Sequence, residues 1–367
     1  MTPKSYIHYA MEIIKKTISL ESFHEITKRV FTKDTLFFDI ETTGFSAKKS
    51  DLYLIGLCFR QDDTAFIEQY LAGSADEQEE LLAHFAERLQ VCKKILTYNG
   101  TGFDLPYLRE KYGYDPFSSH EILDLYKELT PLKDFLGLPN LKQKTLEGFL
   151  QITRQDTYSG GDLIPIYRHF TATKDDLPRS LLLLHNYEDV LGMLKLIPAL
   201  SYPTLLDGSY QIREASISPA EETLRISMTP RDSFPVRIES AVPPFSLVAE
   251  DAVAVLTVQL FRGELKFFFP DPENYYYLPD EDTAIHRSVG GFVDRAHRIP
   301  AKKSNCYTKK SGLFVPQPQP LYTPAFYAAF KDLLSYFSLP DSFNPESDDL
   351  RRYVDACLKY LMRNEKH

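Results

Sequence analysis

Asp39 and Glu41, two residues apart in LFFDIETTGF, are the side chains whose types and spacing point most directly to chemistry. The apolar run Leu36, Phe37 and Phe38 before them reads as a buried strand, in which positions i and i+2 project from the same face. Two acids therefore emerge together where the strand ends. Like charges held that close raise a pKa or demand a counter-charge, and a divalent cation is the usual counter-charge at an oxygen-rich site. Metal binding is the first expectation, set against the plainer reading in which strand-end acids cap a helix or face solvent.

Two further segments carry acids in legible settings. Asp104, in TYNGTGFDLPYL, stands at a strand-turn-helix junction near the helix start, where the dipole favours a carboxylate. A solvated charge at that terminus would explain Asp104 equally well. Asn99 ends the KILTYN strand and either donates to a ligand or closes the turn. In LLLLHNYEDVLGM, His185 and Asp189 are at i and i+4, hence neighbours on one helix face. Leucines surround them, so a partly buried Asp189 needs a partner, and a purely structural His–Asp contact is the alternative. Asp124, in EILDLY, is expected at a solvent-facing strand end, the alternative being a place just behind the acidic site.

The elements that must position these residues can be read from periodicity. Strands are expected at Leu36 to Ile40, at 52–59 and at 64–70, forming a three-stranded antiparallel start. A helix over 76–92, the short KILTYN strand, a helix from near Gly102 and a strand at 121–126 then imply a parallel portion of sheet. LKQKTLEGFLQI and SGGDLIPIYRHF read as two short helices, and a long helix runs from about Asp176 to Pro198. Residues 1–34 read as a polar helical leader packed on the domain behind it. Beyond 200 the texture changes to short β-type runs (LRISM, FPVRIES, AVAVLTVQLF, ELKFFF, YYYL), and the tail segments YTPAFYAAFKDLLSYFSL and DDLRRYVDACLKYLMRN read as helices.

Composition narrows the class. The 367 residues are enough for two domains, and 43% hydrophobic with 25% charged residues is ordinary for a globular chain. A net charge of -9 argues against a strongly basic nucleic-acid binder, although acidic ligands contribute to that sum. The four cysteines lie far apart with no zinc-type spacing, so they read as reduced structural thiols. The N-terminal stretch is interrupted by His8, Glu12, Lys15 and Lys16 and does not read as a signal peptide, and Glu250 and Asp251 break the longest apolar run. A cytoplasmic protein with no membrane partner is expected.

Taken together, DIETTG, YNGTGFDLPYL and HNYEDVLGM resemble the three exonuclease motifs of the DEDD superfamily of 3′–5′ exonucleases. The middle motif is similar to that of family-B DNA polymerase proofreading domains. With LKQKTLEGFL and the SGG stretch, the third looks most like YprB-type ribonuclease-H-like proteins. The resemblance covers about residues 35–200. It implies an α/β fold with a ribonuclease-H-like mixed β-sheet flanked by helices over 35–200, and leaves unaccounted for the β-rich module with terminal helices read over 201–367. It also implies two divalent cations, Mg²⁺ or Mn²⁺, held by Asp39, Glu41, Asp104 and Asp189. Hydrolysis of phosphodiester bonds in single-stranded DNA or RNA would follow, with Thr42, Thr43 and Gly44 wrapping the terminal nucleotide.

One position departs from the family. Its members place a histidine five residues before the last aspartate or a tyrosine four before it; here the four-before position holds His185. With an ordinary pKa near 6.5, that imidazole could accept the proton of the attacking water. The alternative to an enzyme is a nucleic-acid-binding scaffold that keeps the fold with little catalysis. In the β-rich part, Arg287, Arg295, Arg298, Lys302, Lys303, Lys309 and Lys310 stand against Asp294 alone, a run that could track a phosphate backbone or be a solvated loop.

Overall fold

Thr35–Thr42 forms a strand because its apolar residues are buried on both faces, with only Asp39 and Thr42 partly exposed. It lies inside a six-stranded sheet. In chain order the strands are β1 (Glu12–Ser19), β2 (Thr35–Thr42), β3 (Leu52–Gln61), β4 (Thr64–Leu71), β5 (Lys94–Thr97) and β6 (Glu121–Asp124), and their spatial order is β1-β4-β3-β2-β5-β6. The β1, β4, β3 and β2 neighbours run antiparallel, whereas β5 pairs parallel with both β2 and β6. The computed structural model describes residues 11–364, and its chain divides into two compact units, 1–133 with 137–203 and 134–136 with 204–367.

In the first unit the helices are α1 (Glu25–Val30), α2 (Gln78–Val91), α3 (Asp104–Tyr112), α4 (Leu125–Leu129), α5 (Gln143–Phe149), α6 (Gly160–Thr173) and α7 (Asp176–Leu196). Leu36, Phe38 and Ile40 point to one side of β2 and pack with Phe85 and Leu89 of α2 and Leu105 and Leu108 of α3. Leu163, Tyr167 and Phe170 of α6 and Leu182 of α7 join Tyr53, Leu54 and Leu71 in a separate cluster. The mixed sheet is thus flanked by helices, as expected.

Close approach of α7 to the sheet depends on Gly56, which pairs with Asp39 across β2 and β3. A Cβ at Gly56 would come within 2.0 Å of Asn186 Oδ1 and 2.8 Å of a Val190 methyl. Gly192 does the same for α5, since a Cβ there would lie 2.1 Å from Glu147 Oε1.

The helical leader needs correction. Residues 1–10 lie outside the described residues, but Glu12–Ser19 is an edge strand paired with β4, and only Glu25–Val30 is helical. Ile13, Ile14, Thr17 and Ile18 are β-branched, and β4 would otherwise leave its backbone donors and acceptors unpaired.

In the second unit, β7 (Tyr210–Ser218), β8 (Thr223–Pro230), β9 (Phe234–Val242), β10 (Phe245–Asp251) and β11 (Val253–Gln259) build an antiparallel sheet in the order β7-β8-β11-β10-β9. Strands β12 (Phe261–Phe268), β13 (Tyr275–Leu278), β14 (Thr283–His286), β15 (Ile299–Pro300), β16 (Tyr307–Gln317) and β17 (Ser335–Ser338) form two three-stranded sheets, β12-β16-β17 and β14-β13-β15. Asp348–Asn364 is helical as read, but 322–339 is not. There Phe326 packs with Leu265 and Phe314, Tyr322 stacks on Phe337, and 335–338 pairs with β16, so tertiary aromatic contacts override a helix-like spacing.

The basic run of this unit is partly neutralised by folding. Lys309 pairs with Asp282 at 2.5 Å, Lys310 donates to Ser338, and Arg298 lies 4.6 Å from the centre of the Tyr276 ring. Arg295, Lys302 and Lys303 remain exposed. Among the described residues no helix is long and apolar enough to cross a membrane.

Candidate active site

Asp39 and Glu41 do project together from β2, toward α7. Asn186 of α7 donates from Nδ2 to Asp39 Oδ2 at 3.0 Å, and its own Oδ1 accepts from Gln69 of β4 at 3.0 Å. Asp104 is the first residue of α3 and is buried, its Oδ1 accepting the Ile40 amide at 3.2 Å. That bond ties the helix start to the strand carrying the DxE pair.

His185 and Asp189 face the same cleft from α7. His185 Nε2 lies 3.1 Å from Asp189 Oδ2 and 3.5 Å from Glu41 Oε1. These three side chains each present a ligand atom within 4.8 Å of the others, a convergence from two segments remote in sequence. Asp39 and Asp104 adjoin the group but are turned to Asn186 and to the Ile40 amide.

Electrostatics follow from burial. Loss of water around Asp39, reinforced by the charges of Glu41, Asp189 and Asp104, drives its pKa well up. Burial raises Glu41 to about 8 despite the His185 cation beside it, and burial raises Asp104 to about 7 against the pull of the Ile40 amide. Burial alone would discharge His185, but its hydrogen bond to Asp189 and the nearby Glu41 and Asp156 charges override this and hold its pKa at about 9. The imidazole is therefore cationic at neutral pH and serves as a counter-charge. Asp189 is partly buried, yet His185 and Arg154 keep its pKa low.

Sequence reading missed the partners that complete this network. Arg154, in the loop between α5 and α6, bonds Asp189 Oδ1 at 2.6 Å, Glu147 at 3.1 Å and Asp156 at 3.3 Å. Asp156 accepts from His185 Nδ1 at 2.8 Å and from Lys144 at 3.1 Å. The one available signal was an alternation of charge, Arg154-x-Asp156, in a segment otherwise read as a connection.

Asp124 is buried rather than solvent-facing. It caps α4 and accepts from the Asn99 amide at 2.8 Å and from Thr101 N and Oγ1 at 3.2 and 2.5 Å. Asn99 itself is exposed and left-handed, with φ of 60°. The Thr42 and Ser50 hydroxyls both donate to the Gly44 carbonyl, and Thr43 Oγ1 accepts the Asp51 amide, so these hydroxyls hold the turn that follows the DxE pair. Asn99, Tyr98, Tyr126, Lys142, Lys144 and Tyr158 line an open cleft of about 680 Å³ that reaches Asp39, His185 and Asp189. Aromatic faces and two cations beside buried acids suit a polyanion with stacking groups.

Residues 36–201 match the RNase_H_2 family model of the RNase H superfamily, and this stretch folds as an RNase H-like domain. No curated protein matches the sequence. Among solved structures, the family B DNA polymerase from Pyrobaculum calidifontis is 13% identical with a TM-score of 0.36, covering 89% of this chain and 46% of that one. The E. coli exonuclease I complex with single-stranded DNA, in its zinc-bound form, is 15% identical with a TM-score of 0.28, covering 53% and 54%. A nuclease in its apo form is 19% identical with a TM-score of 0.33, covering 48% and 75%. The chain thus spans about half the length of the polymerase and exonuclease chains it matches.

Proposed function

We propose that this RNase H-like domain is a divalent-metal-dependent nuclease that removes nucleotides from the 3′ end of single-stranded DNA or RNA. The observation that carries this reading is the charge imbalance of the site. Asp39, Glu41, Asp104, Glu147, Asp156, Glu188 and Asp189 stand around Arg154, Lys144 and His185, so seven acids against three cations leave a formal charge of −4. Burial raises the pKa values of Asp39, Glu41 and Asp104, so without a metal these acids resist ionising; two ions such as Mg²⁺ or Mn²⁺ would bring the +4 that balances the fully ionised set.

In this reading Asp39, Glu41, Asp104 and Asp189 hold the ions. Bound ions at such a site supply water activation and neutralisation of charge on the phosphate. Lys142 and Lys144 face the phosphate backbone, Tyr98, Tyr126 and Tyr158 offer stacking faces, and the Thr42–Gly44 turn with Asn99 contacts the terminal nucleotide. Cations offsetting the charges of Glu41 and Asp189 would remove two of the three acids that hold the His185 pKa at about 9, leaving Asp156, and the imidazole would then be better placed to accept a proton. Four unpaired thiols agree with work in the reducing cytoplasm.

The test is digestion of 5′-labelled single-stranded DNA and RNA with Mg²⁺ or Mn²⁺, with Asp39→Ala as control. A ladder of single-nucleotide steps from the 3′ end supports the reading. Absence of cleavage by the wild-type chain at saturating metal refutes it. A binding scaffold is the second reading, favoured by the contacts of Arg154 and His185 to Asp189, which already counter part of its charge. A chain that binds single strands but takes up no Mn²⁺ would establish that alternative.

A further inference from the structure

We propose that Arg154 and Asp156 form a two-point clasp that sets the orientation of both working side chains of α7. The clasp reaches His185 and Asp189 from the loop between α5 and α6. Asp156 Oδ2 takes His185 Nδ1 at 2.8 Å, and Arg154 Nη1 takes Asp189 Oδ1 at 2.6 Å. The atoms left facing the cleft are His185 Nε2 and Asp189 Oδ2, 3.1 Å apart, with Glu41 Oε1 3.5 Å from the imidazole.

The clasp is built into the fold. The Arg154 and Asp156 side chains are only 9% and 2% exposed. Glu188, also on α7, accepts the backbone amides of Gln155 at 2.9 Å and Asp156 at 2.8 Å, pinning the segment to the helix it grips. Arg154 also reaches Glu147 of α5, and Lys144 reaches Asp156, so each prong has a second support. A planar guanidinium can span Asp189, Glu147 and Asp156 at once, which an ammonium cannot. An imidazole without the Asp156 bond is free to turn about χ2, exchanging the nitrogen that faces Glu41 and Asp189. Both are positioning residues, and neither was assigned a role by the sequence motifs.

This inference rests on the reading of Asp189 and His185 as members of a nuclease site, so its test has an arm that needs no metal. The full-length chain is made with Arg154→Lys, Arg154→Met, Asp156→Asn and Asp156→Ala. In metal-free protein with ¹⁵N-labelled histidine, the slowly exchanging Nδ1–H signal of His185 is expected in wild type and lost in Asp156→Ala. Its persistence there overturns the Asp156 prong. In calorimetric titration with Mn²⁺, Arg154→Met is expected to bind about tenfold more tightly, because a cation 2.6 Å from an acid of the site is gone. Arg154→Lys, which keeps the charge without the fork, should keep wild-type affinity within about threefold while kcat falls at least about tenfold at nearly constant KM. Unchanged kcat in both Arg154 variants overturns the Arg154 prong. A wild-type chain that neither binds Mn²⁺ nor cleaves would refute the nuclease reading, and the histidine signal would still decide the clasp.

Discussion

Replacing Glu41 with glutamine should make the metal-free protein more stable at alkaline pH, although it removes an ion-pair partner of His185. Glu41 is buried, and its carboxyl is raised from an ordinary 4.5 to about 8. Below pH 4.5 it is protonated in both folded and unfolded chains and costs nothing. As pH rises further, the unfolded chain releases a proton that the folded chain retains, so stability falls until about pH 8 and then levels. At about 1.4 kcal/mol per pH unit the full loss is about 5 kcal/mol. Glutamine has the same shape and no charge, so the variant avoids this loss, with an expected gain of about 2 to 4 kcal/mol at pH 8 and less than about 1 kcal/mol at pH 5. The assay is hydrogen exchange of the slowest amides of β2 and α7 in EDTA, variant against wild type at each pH. Excess Mg²⁺ should reverse the order at pH 8, because only the wild type regains stability from the ion. A variant less protected than wild type at pH 8 in EDTA would show that Glu41 is a net stabilising partner of His185, and the argument from crowded charge would fail.

Three other outcomes are expected. His185→Ala strips the cation from three surrounding acids and should cost about 3 to 5 kcal/mol at pH 7. Because the folded pKa is raised from 6.5 to about 9, that contribution is complete below pH 6.5 and fades as pH passes 9, so denaturant midpoints of variant and wild type should converge there. Gly56→Ala places a methyl 2.0 Å from Asn186 Oδ1 in a packed interface and should cost about 3 kcal/mol with loss of the Asn186–Asp39 bond; a cost below about 1 kcal/mol in urea unfolding would refute the close-approach account. Asp124→Asn leaves one oxygen for the donors of the 99–101 turn and should cost about 1 to 3 kcal/mol, visible as faster proteolysis at Asn99–Phe103.

Much of the first unit was legible because its signals are local. The buried run Leu36–Phe38 and the 3.6-residue spacing of α2 and α7 need no knowledge of neighbours, and strand alternation with helices implied the parallel pairing of β2, β5 and β6. Glu12–Ser19 failed as a helix because the deciding partner, the open edge of β4, lies about fifty residues on. Residues 322–339 failed because Phe326, Tyr322 and Phe337 answer to aromatic neighbours on other strands rather than to their own spacing.

By itself the sequence determined which acids this protein has to offer: Asp39 and Glu41 share a strand face by the pleat of the chain, and His185 and Asp189 share a helix face by its turn. Only the tertiary structure decided what those acids meet. Arg154 and Asp156 sit 35 and 29 positions from their partners Asp189 and His185, and nothing in a connecting loop announces that its charges will be buried against a helix. The physical reason is that side-chain direction is a local property of the backbone, whereas a pKa depends on every charge and every lost water around a group. Spacing could therefore pair the imidazole with an acid, but only folding could place enough carboxylates around it to keep it charged.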